Sequence, residues 1–364
     1  MLVLRLIETF VIAFIGGYIF YLLDFPLPWV LGALTLVMLW QGFMKRNLLV
    51  PNAVRDAGFI ILGIYFGLYF TKDTFQTVIP YFLPYVLLTI VLIVVCVVLG
   101  SIVSKWIKVD QTTSVFACIP GGLSEMAIAS EALKGNSSLV VIFQTVRLIA
   151  VLFMIPPVMT LIFRDGGSSG TNVVVGEIFN GSLWNYGWFI LPVIAAVFIR
   201  DKIPAGIIIG ALGITAVMNV SPIELASVPS IVMNGAQIAV GASLGKKMIF
   251  EDLKVGGKYI FLYFGLAITI IAVSFGLGVA LANFTTLNYP TAILSIAPGG
   301  FFEMVLTAYN VGGDAAVVSA LQLVRVLLIV LCVPPALKWW FERNRKRTNL
   351  GDHHYHRSST NFGE

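Results

Sequence analysis

The chain has 364 residues, 58% of them hydrophobic and 11% charged, with a mean hydropathy of +0.94 and a formal net charge of +5. That balance excludes a soluble globular domain and implies a polytopic membrane protein. Cys96, Cys118 and Cys332 fall inside apolar stretches without ligand spacing, so they imply no disulfide framework and read as inert buried thiols.

In chain order the apolar stretches run over Val3–Leu23, Trp29–Phe43, Ala57–Thr71, Phe75–Ser104, Thr113–Leu133 and Ser138–Phe163, then Ser182–Ile199, Ile203–Met218, Pro229–Gly245, Tyr259–Ala282, Thr291–Val311 and Ala316–Trp340. Most approach the ~20 residues that span ~30 Å of hydrocarbon at 1.5 Å per residue. Trp29–Phe43 is the weakest of them. The first stretch has Arg5 and Glu8 near its start and no small-residue cleavage site behind it, so it reads as a retained helix and not a signal peptide. The run RDGGSSGTN (Arg164–Asn172) is a Gly/Ser-rich linker, too short for a domain. The basic run KWWFERNRKR (Lys338–Arg347) fixes orientation or touches anionic lipid. The tail beyond it, with all three histidines in HHYH (His353–His356), is expected to be disordered.

A shift of 178 residues lays one half of the chain on the other. FPLPWVLGAL fits IPAGIIIGAL, pairing Pro26 with Pro204 and Gly32 with Gly210, and Gly63 and Gly67 fall on Gly241 and Gly245. From Pro120–Pro157 to Pro298–Pro335 there are 12 identities in 38 positions without a gap, among them a Glu, a Gln, an Arg and several Pro and Gly that shared hydrophobicity cannot explain. The predicted fold is therefore all-α, with two homologous repeats and about 10–12 membrane segments. The organisation is a first membrane repeat over 1–163, a linker over 164–178, a second repeat over 179–341 and a basic tail over 342–364.

Loop charges suggest that the repeats are inverted. In the first half Lys45, Arg46, Arg55, Lys105 and Lys108 follow the second and fourth segments, whereas the alternate loops hold only Lys72 and Lys134. In the second half the bias moves to the loops after the first and third segments, with Arg200, Lys202, Lys246, Lys247, Lys254 and Lys258. Since cytoplasmic loops gather Lys and Arg, equivalent loops should face opposite sides. Six full crossings per half would make the halves parallel, so inversion requires one segment per half that does not span, or an extra helix. The sequence leaves that parity open.

The chemistry concentrates in IPGGLSEMAIASEALKG and APGGFFEMVLTAYNVGG. Pro120-Gly121-Gly122 and Pro298-Gly299-Gly300 break an apolar run, with Glu125 and Glu303 five residues after each proline. Measured from a hairpin tip at Gly135/Asn136 or Gly313/Asp314, each Glu and the matching Arg147 or Arg325 lie roughly 16–17 Å deep at 1.5 Å per residue. Gln144 and Gln322 precede the arginines by three residues and share their helix face. Intramembrane charges cost at least ~2.5–3.5 kcal/mol and usually pair or line a polar path. The breaks free backbone groups to hold ions or substrate, and matched breaks in two repeats are the best sequence pointer to a transport site. The expectation is thus a substrate or ion site at these residues, each Glu steadied by its Arg, against the plainer reading of a kink closed by a buried ion pair. Asp56, its repeat equivalent Asn234, and Gln237 are secondary candidates. Gly63-x-x-x-Gly67 and Gly241-x-x-x-Gly245 read as close helix packing.

The doubled PGG-x-x-EM motif, with Q-x-V-R and PP downstream, resembles the bacterial membrane AbrB duplication family over nearly the whole chain. Members carry the labels AbrB-family regulator or ammonia monooxygenase, and the family is distantly similar to cation/proton antiporters and bile-acid or auxin carriers, whose inverted repeats cross two broken helices. The Asp-Asp pair of the sodium/proton antiporters has no counterpart here. The resemblance implies a multi-pass protein of the bacterial inner membrane. The residues favour a secondary transporter or exporter of a small polar or charged solute, coupled to protons through the paired Glu residues. A membrane-embedded sensor or regulator comes second. An oxygenase comes third, since it needs metal ligands and the histidines all sit in the tail. No enzyme activity, metal or cofactor is expected. The expected partners are a small-molecule or ion substrate and the bilayer; a homodimer is allowed, and no segment is large enough for a nucleic-acid module.

Overall fold

In hydrocarbon the backbone must satisfy its own hydrogen bonds, so each apolar run folds as helix. The structure is a computed structural model describing residues 2–44, 46, 48–107, 109–163, 183–202, 205–221, 225–248, 257 and 259–359. At 2–4, 73, 75, 123–125, 183–184 and 341–359 it describes the backbone alone. Lys45, Lys108, Pro204, Lys254, Lys258 and the linker over 164–178 lie outside the described residues.

The first half comprises α1 (Leu2–Leu22), α2 (Pro28–Met44), α3 (Asn52–Gly67), α4 (Lys72–Trp106), α5 (Gln111–Cys118), α6 (Leu123–Ala132) and α7 (Ser137–Phe163). The second comprises α8 (Leu183–Gly187), α9 (Ile190–Ile199), α10 (Gly206–Val220), α11 (Ser230–Lys247), α12 (Tyr259–Phe284), α13 (Tyr289–Ile296), α14 (Phe301–Asn310) and α15 (Ala315–Ser359). No strand occurs among the described residues. Five helices are long and apolar enough to cross a membrane, over Arg5–Leu22, Gln76–Trp106, Ser137–Phe163, Tyr259–Phe284 and Ala315–Trp340. Phe14, Phe82, Ile194, Phe198 and Phe261 are exposed on the outside, as a lipid-facing surface requires and a soluble one does not tolerate.

The 178-residue shift carries elements onto elements. Residues α5 and α13 span have equal lengths of 8, and α6 and α14 equal lengths of 10. Contacts repeat as well: Gly100 lies against the backbone of Val115, and Gly278 against that of Ile293.

Packing sorts the helices into two bundles, each drawing the same segments from both halves. One holds α1, α2 and α3 with α9, α10 and α11; the other holds α4 to α7 with α12 to α15. In the first bundle the halves exchange partners, α3 packing on α10 and α11 on α2. The small residues explain how closely. A Cβ on Gly63 would sit 2.8 Å from the Ile208 carbonyl oxygen, and one on Gly241 would sit 2.4 Å from that of Val30. Only glycine admits such an approach, as the spacing predicts. Asn219 Nδ2 then closes the end of α3 by donating to the carbonyls of Leu68 at 2.9 Å and Phe70 at 3.0 Å.

The two bundles meet through aromatic side chains. From α3, Phe59 packs on Phe302 and Phe66 on Phe301, and Tyr69 beyond its end packs on Tyr309, with ring centroids 6.0, 6.3 and 6.0 Å apart.

Two expectations change. Cys96 and Cys118 are buried, but Cys332 is exposed, because it lines an open apolar groove between α4 and α15. The helix α15 also continues to Ser359 through the stretch that composition predicts to be disordered, with no proline after Pro335 and Gly351 the one glycine to weaken it.

Candidate functional site

The stretch Thr113–Leu133 reads as a span by length, but the structure folds it back on itself. Helix α5 ends at Cys118, the chain is extended at Ile119 and Gly122, and α6 starts at Leu123. At 1.5 Å per residue the two pieces rise about 12 and 15 Å, each roughly half a bilayer. Their open ends are tied together. Asp110 caps α5 by accepting from the Thr113 backbone N–H at 2.8 Å and from its hydroxyl at 2.6 Å, and the Thr113 hydroxyl accepts from the backbone N–H of Asn136 at 2.7 Å, just before α7. The second half repeats the device: Thr291 N–H donates to Asn288 at 3.1 Å, and Thr291 Oγ1 accepts from Asp314 N–H at 2.8 Å. Asn288 Nδ2 also donates to the Gly312 carbonyl at 3.2 Å. Each half therefore holds a helical hairpin with its Pro-Gly-Gly break at the buried tip.

At the tips, carbonyls at the end of the first half-helix have no helical partner, and the negative end of the helix dipole gathers there. Gln and Arg from the last helix of the same half supply the donors. Gln144 Nε2 donates to Phe116 at 2.8 Å and Ile119 at 3.4 Å, and Arg147 Nη1 donates to Ile119 at 2.7 Å. In the second half Gln322 Nε2 donates to Leu294 at 2.6 Å and Ala297 at 3.4 Å. Arg325 donates from Nη1 to Ile296 at 3.4 Å and, closer still, to Ala297, and from Nη2 to Gly299 at 2.8 Å. The arginines thus clasp the breaks. The expected pairing of Arg325 with Glu303 does not form, since among the described residues Arg325 has no ion pair and its donors point at the carbonyls.

Glu303 lies in the first turn of α14, where the positive end of the half-helix favours an anion. It is 2% exposed, and its Oε2 has no hydrogen-bond partner. Gly300 makes room for it: a Cβ there would fall 2.0 Å from Oε2. The carboxylate is thus buried, folded over the break and free of the arginine. The side chain of Glu125 lies outside the described residues, although its backbone occupies the same place in α6. Gly121 and Gly299 lie under Met126 and Met304, and Pro120 and Pro298 fall in the breaks.

The hairpins are held crosswise between halves. Tyr85 on α4 donates to the Ser295 carbonyl of α13 at 3.1 Å, and Tyr263 on α12 donates to Ser114 Oγ of α5 at 2.9 Å. Helix α14 touches α7 of the other half, and α6 touches α15. Sequence reasoning missed Thr113, Thr291, Tyr85 and Tyr263; carrying the 178-residue shift upstream of Pro120 pairs Thr113 with Thr291 and Tyr85 with Tyr263.

The secondary candidates separate. Asp56 sits between two guanidinium groups, 2.7 Å from Arg55 and 3.0 Å from Arg200. Asn234 and Gln237 instead line a cavity of about 200 Å³ at the other end of the first bundle. No group of three or more His, Cys, Asp or Glu side chains comes together among the described residues.

Residues 29–341 match the family described as Transition state regulatory protein AbrB. The chain belongs to the AbrB family. Two AbrB relatives illustrate the range. "Uncharacterized protein YhjN" of Bacillus subtilis (strain 168) is 24% identical over 343 residues, 88% of this chain and 89% of the relative. "Putative regulator AbrB" of Escherichia coli (strain K12) is 20% identical over 252 residues, 65% of this chain and 68% of the relative. The AbrB match begins at Trp29 and so takes in both hairpins, both arginine clasps and the interface between the bundles.

Proposed function

We propose that the chain is a secondary transporter of a small polar solute in the bacterial inner membrane, and not an enzyme. The observation that carries this reading is the pair of re-entrant hairpins. A hairpin does not cross, so each half has five crossings: three before α4 or α12, that long helix itself, and α7 or α15. An odd number inverts the second half relative to the first, which meets the parity requirement of the loop charges.

The charges agree. Alternating crossings put Arg46, Arg55, Lys105, Lys134, Arg200, Lys202, Lys246 and Lys247 at one end, and Lys72 is the one loop cation at the other among the described residues. The basic end is the cytoplasmic one. The first hairpin then enters from the cytoplasm and the second from outside, and their broken tips meet the midplane. Irregular backbone at that depth is tolerated where it is buried or lines a cavity, and in carriers it holds the transported species. Buried at the second tip without a partner for Oε2, Glu303 is the group suited to take up and release a proton, while Arg147 and Arg325 hold the breaks open. The two bundles supply the moving parts, sliding along the aromatic seam between α3 and α14.

Uptake into proteoliposomes of the full chain tests the transport reading, with a panel of small neutral, anionic and cationic solutes and an imposed pH gradient. Saturable uptake driven by the gradient is expected. Uptake at the level of empty liposomes for the whole panel would favour the sensor reading, which rests on the printed name of the Escherichia coli relative. Inversion has its own test. A cysteine at Lys134 should react with an impermeant thiol reagent from the cytoplasmic side alone, and one at Asn310 from the outside alone; both positions are exposed at the mouths of their hairpins. Reaction of both from one side rejects the inverted arrangement.

A further inference from the structure

The cavity of about 200 Å³ lies between the two bundles, at the end away from the basic loops. Its wall combines Trp29 at the start of α2, Tyr65 near the end of α3, Asn234 and Gln237 on α11, and Tyr309 and Asn310 at the end of α14. Gln237 decides what it is for. Its side chain is only 7% exposed, yet no described residue offers it a hydrogen bond. An amide that opens on a cavity without a protein partner is free to bond whatever enters, water or a solute that displaces it. Tyr65 adds a second directed group. Tyr69 donates its hydroxyl to Tyr65 at 2.7 Å, which leaves the Tyr65 proton for another acceptor.

The lining also sets the ligand's chemistry. It contains amides and hydroxyls, which both donate and accept, but no acid or base among the described residues. An ionised ligand would surrender its hydration there without gaining a counter-charge, at a cost that amides do not offset. Trp29, Tyr65 and Tyr309 offer flat apolar faces beside the polar groups. The volume falls below the ~300–1,000 Å³ of pockets for drug-sized molecules, so the ligand is small. Leu306 and Asn310 lie three and seven residues after Glu303 and so share its face of α14, which runs from the broken tip toward the cavity.

We propose that this cavity is the outward-facing binding site for a small uncharged solute with a flat apolar body and an amide-like polar group. The proposal rests on the carrier reading above and names its substrate class.

The test uses the full chain with Cys332→Ser and Gln237→Cys, in right-side-out vesicles, labelled with the uncharged reagent hydroxyethyl methanethiosulfonate. Three molecules of one skeleton compete: benzamide, benzoate and benzylammonium. The expected result is labelling from outside, slowed roughly tenfold by benzamide at about ten times its Kd, as mass action requires, and little changed by the two ions. Asn234→Cys, on the same wall, repeats the measurement should the first variant fold poorly. No labelling from outside overturns the site. Equal or better protection by benzoate or benzylammonium overturns the uncharged class, the second showing that the aromatic faces take a cation instead. No protection by any of the three overturns the flat amide-like class. Because protection needs no flux, benzamide protection without uptake would leave the site standing and sink the carrier reading alone.

Discussion

Replacing Glu303 with glutamine abolishes the flux that a pH gradient drives and leaves a folded protein in the membrane. The carboxylate is the buried titratable group at the second tip, and its Oε2 has no partner to lose. Glutamine keeps its length and shape, so Gly300 still accommodates it. A charge held away from water without a counter-ion costs stability, so the unfolding midpoint in detergent should hold or rise. The separation of the two readouts is informative: a structural carboxylate would lower the midpoint when altered, whereas a coupling carboxylate changes the driving force. The measurement is uptake into proteoliposomes with and without the gradient, beside exchange at equal pH, which should persist because it moves no net proton. Glu125→Gln, at the equivalent place in α6, belongs in the same experiment. Undiminished gradient-driven uptake in both variants would remove the carboxylates from the mechanism.

How much of this was legible in the sequence depended on contrast. Pro-Gly-Gly, Glu, Gln and Arg stand out against an apolar background, and the 178-residue shift places each of them twice. Their matched distance along the chain from each hairpin mouth followed from counting residues, since helical rise is fixed. Their partners did not, because depth says nothing about direction around the axis. Arg325 and Glu303 share a level, yet Arg325 turns to the carbonyls of Ala297 and Gly299. Loop charges called for one non-spanning segment per half, but which segment folds back was not legible, for a related reason. Thr113–Leu133 is long enough to span, and length is blind to a reversal at its middle. The caps at Asp110 and Asn288, together with the paired Thr113 and Thr291, carry the reversal, but only the folded chain shows these threonines reaching the start of the next helix. The cavity was half visible. Asn234 and Gln237 are polar residues on an apolar helix, whereas Tyr309 and Asn310 join them only because α14 packs against α3, a contact between distant parts of the chain.

Arg325→Met should destabilise the protein more than Arg147→Met does. Arg325 bonds the carbonyls of Ile296, Ala297 and Gly299, whereas Arg147 bonds that of Ile119 alone among the described residues. A hydrogen bond from a charged donor contributes about 1.5–3 kcal/mol, and a buried carbonyl left without a donor costs about 1–3 kcal/mol. Opposing this, methionine relieves the desolvation of a buried guanidinium, a gain of several kcal/mol that partly offsets the loss. The Ala297 carbonyl keeps the Gly299 N–H and Gln322, but those of Ile296 and Gly299 lose their arginine donor at the negative end of α13, so the loss wins at Arg325, by roughly 1–3 kcal/mol. At Arg147 one bond is lost against the same relief, so the net change is about 1 kcal/mol or less. Midpoints of detergent-induced unfolding, read by helical circular dichroism, check the order. Arg325→Lys sharpens the test, since a lysine keeps the charge but lacks the planar fork that reaches several carbonyls. Lysine should therefore recover only part of the loss. Equal midpoints for the two methionine variants would show that bonds to the break do not set the stability of the hairpin, and a full recovery with lysine would show that charge alone suffices there.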